Sequence, residues 1–210
     1  MKKKSVKQGL IQSQLEGQIA KRLVENKPGS FLKSLAGFLI IFGLICLILT
    51  AYLTYQRYNP ERLSFENLKS QGQISSINTS QTPEEISVAD LNIILPIIPS
   101  RINEGRWEAT TKGVSYLTTS PLPGEKGNSV LYGHNFPNLL GNLKKIKPGQ
   151  KIAIKYTDGN IKEFIVSYTL EVSPKQTNIL ETSDDSRITL YTCSGFFDTK
   201  RFVVIANPQS

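Results

Sequence analysis

The chain has 210 residues, 39% of them hydrophobic, and a formal net charge of +8 from 25 basic and 17 acidic side chains. That length holds one ordinary domain plus accessory segments, and excludes two full domains once any long stretch lies outside the fold. Nor does the basic excess mark a nucleic-acid binder: eight basic and two acidic residues precede position 35, leaving 17 basic against 15 acidic over the rest.

In chain order, residues 1–33 form a basic tail. Leu35 to Tyr55, LAGFLIIFGLICLILTAYLTY, is 21 residues without a charge. At ~1.5 Å per residue it spans a hydrocarbon core of ~30 Å, and it lacks the polar face of a soluble core helix. The apolar region of a cleaved signal peptide is shorter, ~7–15 residues, so 34–56 reads as an uncleaved signal anchor. The positive-inside rule then places the tail in the cytoplasm and everything after Arg57 outside. Residues 57–85, rich in Ser, Gln, Asn and Thr with no sustained period, read as an extracytoplasmic stalk with a helical turn or two near Glu61 to Lys69. Asn78-Thr79-Ser80 fits a glycosylation triplet, a pattern that chance produces too often to build on.

Residues 86–210 carry short β-like runs between Gly, Pro, Asn and Asp clusters. Leu91 to Ile98 contains Pro96, which implies a barrel edge or a bend. Val114 to Thr118 and Ser129 to Gly133 are further strands. Lys151 to Tyr168 alternates apolar and polar residues on either side of Asp158-Gly159, the pattern of a tight hairpin. Ile188 to Cys193 and Phe202 to Ala206 complete the set. One helix is expected at Phe136 to Ile146, from apolar positions 136, 139, 140, 143 and 146 and the stop at Pro148-Gly149. Seven or eight short strands in about 125 residues indicate an all-β closed barrel or a sandwich.

Cys46 lies inside the span, so Cys193 is left alone in an oxidising compartment: a thiol for intermolecular pairing, inert burial or reaction. It ends the strand RITLYT and shares a face with Thr189 and Tyr191; burial as a small hydrophobe is the simplest account of it. His134 is the single histidine, at a strand end entering a loop, where scaffolds present functional groups, though a lone histidine also serves plain packing. Arg201 opens the apolar run FVVIA; it fits a solvated edge charge, or a hairpin partner on the face of Cys193, eight residues earlier. Together the three side chains hold the parts of a thiol acyl-transfer site. Nearby cationic charge activates a thiolate, a fixed guanidinium stabilises a developing oxyanion, and an imidazole supplies the leaving amine with a proton. A serine triad would need the same histidine, and one His with one Cys makes no metal site.

The run Thr189-Leu190-Tyr191-Thr192-Cys193 followed by Arg201, the turn SVLYGHN with His134 59 residues before the cysteine, and the upstream PLPGEKGNSV resemble the sortase family over roughly residues 86–206. The resemblance implies a closed eight-stranded β-barrel with one or two short helices, behind an N-terminal transmembrane helix. It implies a cysteine transpeptidase that cleaves a C-terminal sorting signal of the Leu-Pro-X-Thr-Gly type between Thr and Gly. A thioester on the cysteine is then resolved by an amine from a cell-wall precursor or a pilin lysine. By position Cys193 is the nucleophile, His134 the general acid and base, and Arg201 the oxyanion and substrate cation. Asn135, Thr192, Phe196 and Phe197 are candidates for substrate contact, with Thr192, on the opposite strand face, better suited to shaping the strand end. No cofactor is expected, and the calcium-binding carboxylates of one class have no clear counterpart. The subclass stays open, class D- or E-like among the options. The expected setting is a single-pass membrane protein whose partners are surface proteins bearing sorting signals. Two other readings remain: a catalytically silent anchored binding barrel, and a cell-wall cysteine peptidase, whose familiar type puts its cysteine before its histidine.

Overall fold

The computed structural model describes residues 16–18, 30–65, 81–103 and 106–209, which divide into two units, Met1–Tyr58 and Asn59–Ser210. In the first unit, helix α1 runs from Ser30 to Arg57 over 28 residues, about 42 Å at ~1.5 Å per residue. Lys33–Arg57 is long and apolar enough to cross a membrane, and its large side chains, Phe38, Ile40, Leu47 and Ile48 among them, are exposed. The hydroxyls of Thr50 and Thr54 donate back to the carbonyls of Cys46 and Thr50, both at 2.8 Å, so the two polar side chains are satisfied within the helix. Most of the expected tail, 1–33, and the Asn78 triplet lie outside the described residues.

The second unit contains β1 (Pro83–Val88), β2 (Ile93–Ser100), β3 (Ile102–Asn103), β4 (Arg106–Trp107), β5 (Val114–Leu117), β6 (Gly127–Gly133), β7 (Lys151–Tyr156), β8 (Ile161–Val172), β9 (Ser186–Ser194) and β10 (Lys200–Pro208). Eight of them close a barrel in the order β1-β2-β5-β6-β9-β10-β8-β7, and β3 pairs with β4 separately. The expected all-β barrel is therefore present. Its two parallel pairings are β2 with β5 and β6 with β9. The β7–β8 hairpin turns at Asp158-Gly159 as expected: Gly159 has φ +85°, and the Asp158 carboxylate accepts the Asn160 N–H at 2.9 Å. Pro96 is not at an edge. Pairing with β1 ends at Pro96 and pairing with β5 begins at Ile97, so the proline sits where β2 passes from one neighbour to the other.

Two expectations need correction. Phe136 to Ile146 is not an α-helix; Leu140–Lys145 forms a 3₁₀ helix. The apolar positions are buried as their spacing required, but Leu140 N–H bonds the carbonyl of His134 and Gly141 N–H that of Phe136, which displaces the i to i−4 ladder. The stalk, 57–85, is also shorter than expected. Residues 83–85 belong to β1, and Leu63 and Phe65 are buried against the barrel, because two apolar side chains in a polar stretch gain by covering an apolar sheet face.

That face explains the layout. Every barrel strand sends residues into one interior cluster, including Ile86, Leu95, Val114, Leu131, Ile154, Phe164, Leu190 and Val204. A second cluster joins Val130 and Tyr132 of β6, Tyr191 and Cys193 of β9, and Val203 and Ile205 of β10 to Leu63, Phe65 and Trp107. Since side chains alternate along a strand, this cluster lies on the outer face, and β6, β9 and β10 are buried on both sides. Their near-continuous apolar sequence follows from that. Tyr132 stacks on Tyr191 with centroids 5.5 Å apart, while Trp107 meets Tyr132 and Phe65 meets Tyr191 edge-on, both at 5.1 Å.

A Cβ on Gly113 would lie 2.2 Å from the Pro96 carbonyl oxygen, so Gly113→Ala must push β2 away from β5. The expected loss is about 1–3 kcal/mol, typical of overpacking, read as a lower denaturant midpoint of the full chain in detergent.

Candidate active site

The site is assembled by strand register. In the β9–β10 ladder Cys193 stands directly opposite Arg201, so the hairpin does place both on one face. In the parallel β6–β9 ladder Gly133 pairs with Thr192, so His134, one residue past Gly133, leaves β6 at the level of Cys193. The Thr192 hydroxyl fixes this junction by donating to the Gly133 carbonyl at 2.7 Å. Thr192 thus works on the face away from the thiol, tying together the two strand ends that carry His134 and Cys193.

Arg201 is 3% exposed. Its Nη1 donates to the carbonyls of Asp198 and Lys200, both at 3.0 Å, and its Nη2 to the carbonyl of Ser64 at 2.9 Å. The guanidinium also lies 6.0 Å from the centre of the Phe65 ring. Among the described residues no carboxylate pairs with it, and Nε and the Ser194 hydroxyl have no hydrogen-bond partner. A buried cation bonded to carbonyl oxygens, with no carboxylate beside it, is costly as a structural element.

The nearby acid, Asp198, turns elsewhere. One carboxylate oxygen accepts from Asn135 Nδ2 at 2.8 Å and the other faces Arg62 Nη1 at 3.3 Å. Asp198 therefore links the loop after His134, the β9–β10 loop and the segment after α1. Residues 62–65 form a strap whose successive carbonyls are each held by the site. Arg62 O accepts from Cys193 Sγ at 3.1 Å, Leu63 O from the Tyr191 hydroxyl at 3.1 Å, and Ser64 O from Arg201.

Electrostatics follow from this enclosure. Burial pushes the Cys193 thiol up to about 11, against the pull of Arg201; Asp198 adds to the rise, and Arg62 and Lys144 oppose it. Burial lowers His134 below its ordinary value, and the Asp198 charge works the other way. The His134 ring lies parallel to Phe136 with centroids 4.8 Å apart. Around neutral pH the covered site therefore holds a neutral thiol and a neutral imidazole.

Of the other candidates, Asn135 is half-buried and bonded to Asp198, while Phe196 and Phe197 are 82% and 56% exposed, edge to face at 4.3 Å. Sequence reasoning missed Asp198 and the strap. The signals were present: an acid three residues before Arg201, and two apolar residues, Leu63 and Phe65, inside a polar stretch; the helical turn expected near Glu61 is a 3₁₀ helix at Pro60–Leu63.

A family model described as a sortase domain matches residues 86–209. Sortase A of Bacillus anthracis is 29% identical over 134 residues, 62% of this chain and 61% of that protein, so the chain spans less than two thirds of this relative's length. The solved structure of Listeria monocytogenes sortase A is 26% identical with a TM-score of 0.50, covering 61% of this chain and 88% of that one. Sortase C from Clostridium perfringens SM101 is 25% identical with a TM-score of 0.51, covering 61% and 70%.

Because only the thiolate reacts, a thiol raised from 9.0 to about 11 holds roughly a hundredth of the ordinary thiolate fraction at pH 7.5. Iodoacetamide should modify Cys193 slowly there and about tenfold faster per pH unit up to about 11, followed by mass mapping of the Cys193 peptide. A plateau below pH 9 would show that the thiol is not raised.

Proposed function

Since the chain belongs to the sortase family, we propose that it is a membrane-anchored cysteine transpeptidase that cleaves a C-terminal sorting signal and passes the acyl group to an amine. The observation that carries this reading is Cys193 directly across the ladder from Arg201, a guanidinium buried with carbonyl oxygens as its hydrogen-bond acceptors.

The chemistry then runs as follows. His134, neutral, takes the thiol proton as Cys193 Sγ forms a bond to the carbonyl carbon of the signal's threonine. The carbonyl π electrons move to oxygen, and the oxyanion is stabilised by Arg201. When the oxyanion collapses, the C–N bond breaks and the imidazolium gives its proton to the departing amine, leaving a thioester on Cys193. The acceptor amine attacks that thioester and gives its proton to His134; the C–S bond then breaks as the new amide forms, and the imidazolium returns the proton to the departing thiolate. Cysteine and histidine end each cycle as they began it.

The signal is proposed to be of the Leu-Pro-X-Thr-Gly type, and the acceptor a cell-wall precursor or a pilin lysine. With α1 as anchor and the basic tail retained inside, the barrel works on the outer face of the membrane. Asn135, Phe196 and Phe197 are proposed to border the peptide.

The test is intact mass of the full chain in detergent after incubation with Leu-Pro-X-Thr-Gly peptides, with and without a free amine. A thioester adduct on Cys193 that the amine discharges is expected; no adduct with any peptide of the library would overturn the reading. Cys193→Ala should abolish turnover while costing no more than about 1–2 kcal/mol of stability, because the cavity left by one sulfur is small. Arg201→Lys should lower kcat/KM by about 10²-fold, since an ammonium does not replace a planar fork of donors; near-normal rates would remove Arg201 from the oxyanion role.

A further inference from the structure

Among the described residues no hydrogen bond to the imidazole orients His134. Its ring is placed by stacking on Phe136 and by the backbone around it. The His134 carbonyl accepts from Leu140 N–H at 3.1 Å, and Gly133 before it is tied to Thr192. The residue after it is tied as well: Asn135 Nδ2 donates to an Asp198 carboxylate oxygen at 2.8 Å, across 63 residues of chain. Asp198 in turn accepts Arg201 Nη1 on its backbone carbonyl at 3.0 Å. One residue thus holds the loop of the imidazole with its side chain and the guanidinium with its main chain. To do both it stands in left-handed backbone, at φ 58°, a region in which aspartate is among the better-tolerated residues.

We propose that Asp198 is a positioning residue of the reaction: through Asn135 its carboxylate sets where His134 stands, and its charge balances the imidazolium that forms in each half of the transfer. The proposal rests on the transpeptidase reading for that reaction; the tie between the two loops does not.

The charge argument follows from the proton's path. His134 takes a proton twice in a cycle, once from the thiol and once from the acceptor amine, and each time becomes a cation. The site already holds the buried Arg201, with Arg62 and Lys144 also acting on the thiol, and like charges oppose one another. Lys200, next to Arg201, is paired with Glu171. Asp198 is the acid that works the other way, favouring the imidazolium against burial. In a serine-type triad the acid bonds the imidazole directly. Here it acts at one residue's remove, so its geometric and its electrostatic parts can be separated by substitution. Asp198→Asn keeps an oxygen able to accept from Asn135 and removes the charge; Asn135→Ala keeps the charge and cuts the tie.

The chain has a single histidine, so the full-length protein in detergent, made without a histidine tag and ¹³C-labelled at the imidazole, gives one titration by NMR that needs no activity. A Cys193→Ala background removes the coupled thiol step. In that background Asp198→Asn should lower the His134 midpoint, and Asn135→Ala should leave it in place. Arg62→Gln breaks the Arg62–Asp198 pair from its other side and keeps the acid, so it should not lower the midpoint. With Cys193 present and sorting-signal peptides as substrate, each of Asp198→Asn and Asn135→Ala should lose about tenfold in kcat with KM kept, within the range that proton transfer and alignment supply. Asp198→Ala should lose more than either.

An unchanged midpoint in folded Asp198→Asn, or an equal fall in Arg62→Gln, would overturn the proposal. So would a higher KM with native kcat in Asn135→Ala, which would make Asn135 a peptide contact alone. Should Asp198→Asn fail to fold, the kcat of Asn135→Ala decides: a loss upholds the tie and a native value overturns it. If no peptide is transferred by the native chain, the transpeptidase reading falls, and the titration alone upholds or overturns the pairing of Asp198 with His134.

Discussion

A guanidinium buried without a carboxylate beside it is expensive to maintain, and one end of the barrel is shaped by how Arg201 is satisfied. Its hydrogen bonds go to backbone oxygens of Asp198, Lys200 and Ser64. Within the β9–β10 loop that supplies the first of them, Gly195, Phe197 and Asp198 all have positive φ, at 76°, 51° and 58°. Left-handed backbone at two non-glycine residues carries strain of its own. The Asp198 carboxylate, which could have neutralised the cation from three residues away, is committed to Asn135 and Arg62 instead. The positive charge is thus fixed in place and left to oxygen acceptors.

The barrel divides its labour between two faces. Its interior is an ordinary closed apolar core to which all eight strands contribute. Cys193 lies outside that core, in a second apolar cluster with side chains of β6, β9 and β10, while His134 stacks on Phe136 of the interior cluster. This arrangement supports the site from within by the barrel core and covers it from without by residues 62–65. The interior cannot be opened without unfolding the sheet, whereas the outer cover at the thiol is a four-residue segment held by three carbonyl hydrogen bonds, an ion pair and two side chains.

Much of this was legible in the sequence because it depends on short-range pattern. Strand positions followed from two-residue alternation and turn residues, and the pairing of Cys193 with Arg201 follows from a short loop between two strands of compatible face. What was not legible depends on contacts distant along the chain. The Phe136 to Ile146 stretch has the helical period of a buried face, and the period was a correct guide to burial. Backbone form was decided by bonds from Leu140 to His134 and from Gly141 to Phe136, which periodicity does not encode. Leu63 and Phe65 looked like incidental hydrophobes in a polar stretch, since their partners, Trp107 and Tyr191, are more than forty and more than one hundred residues away. Asp198 was overlooked for a related reason. Its importance lies in joining three segments, and sequence shows it on only one.

The covered site also has a definite protonation logic. Burial is the largest cause of the high Cys193 value and of the low His134 value, so enclosure favours the neutral form of both. Arg201 is the largest of the charges that oppose the rise at Cys193, ahead of Arg62 and Lys144. The Asp198 charge acts on His134 against burial, favouring the imidazolium. Asp198 pulls the thiol upward as well, but its effect stands behind both burial and Arg201 in size. The same burial thus holds both groups in their neutral forms, against the pull of Arg201 on the thiol and of Asp198 on the imidazole.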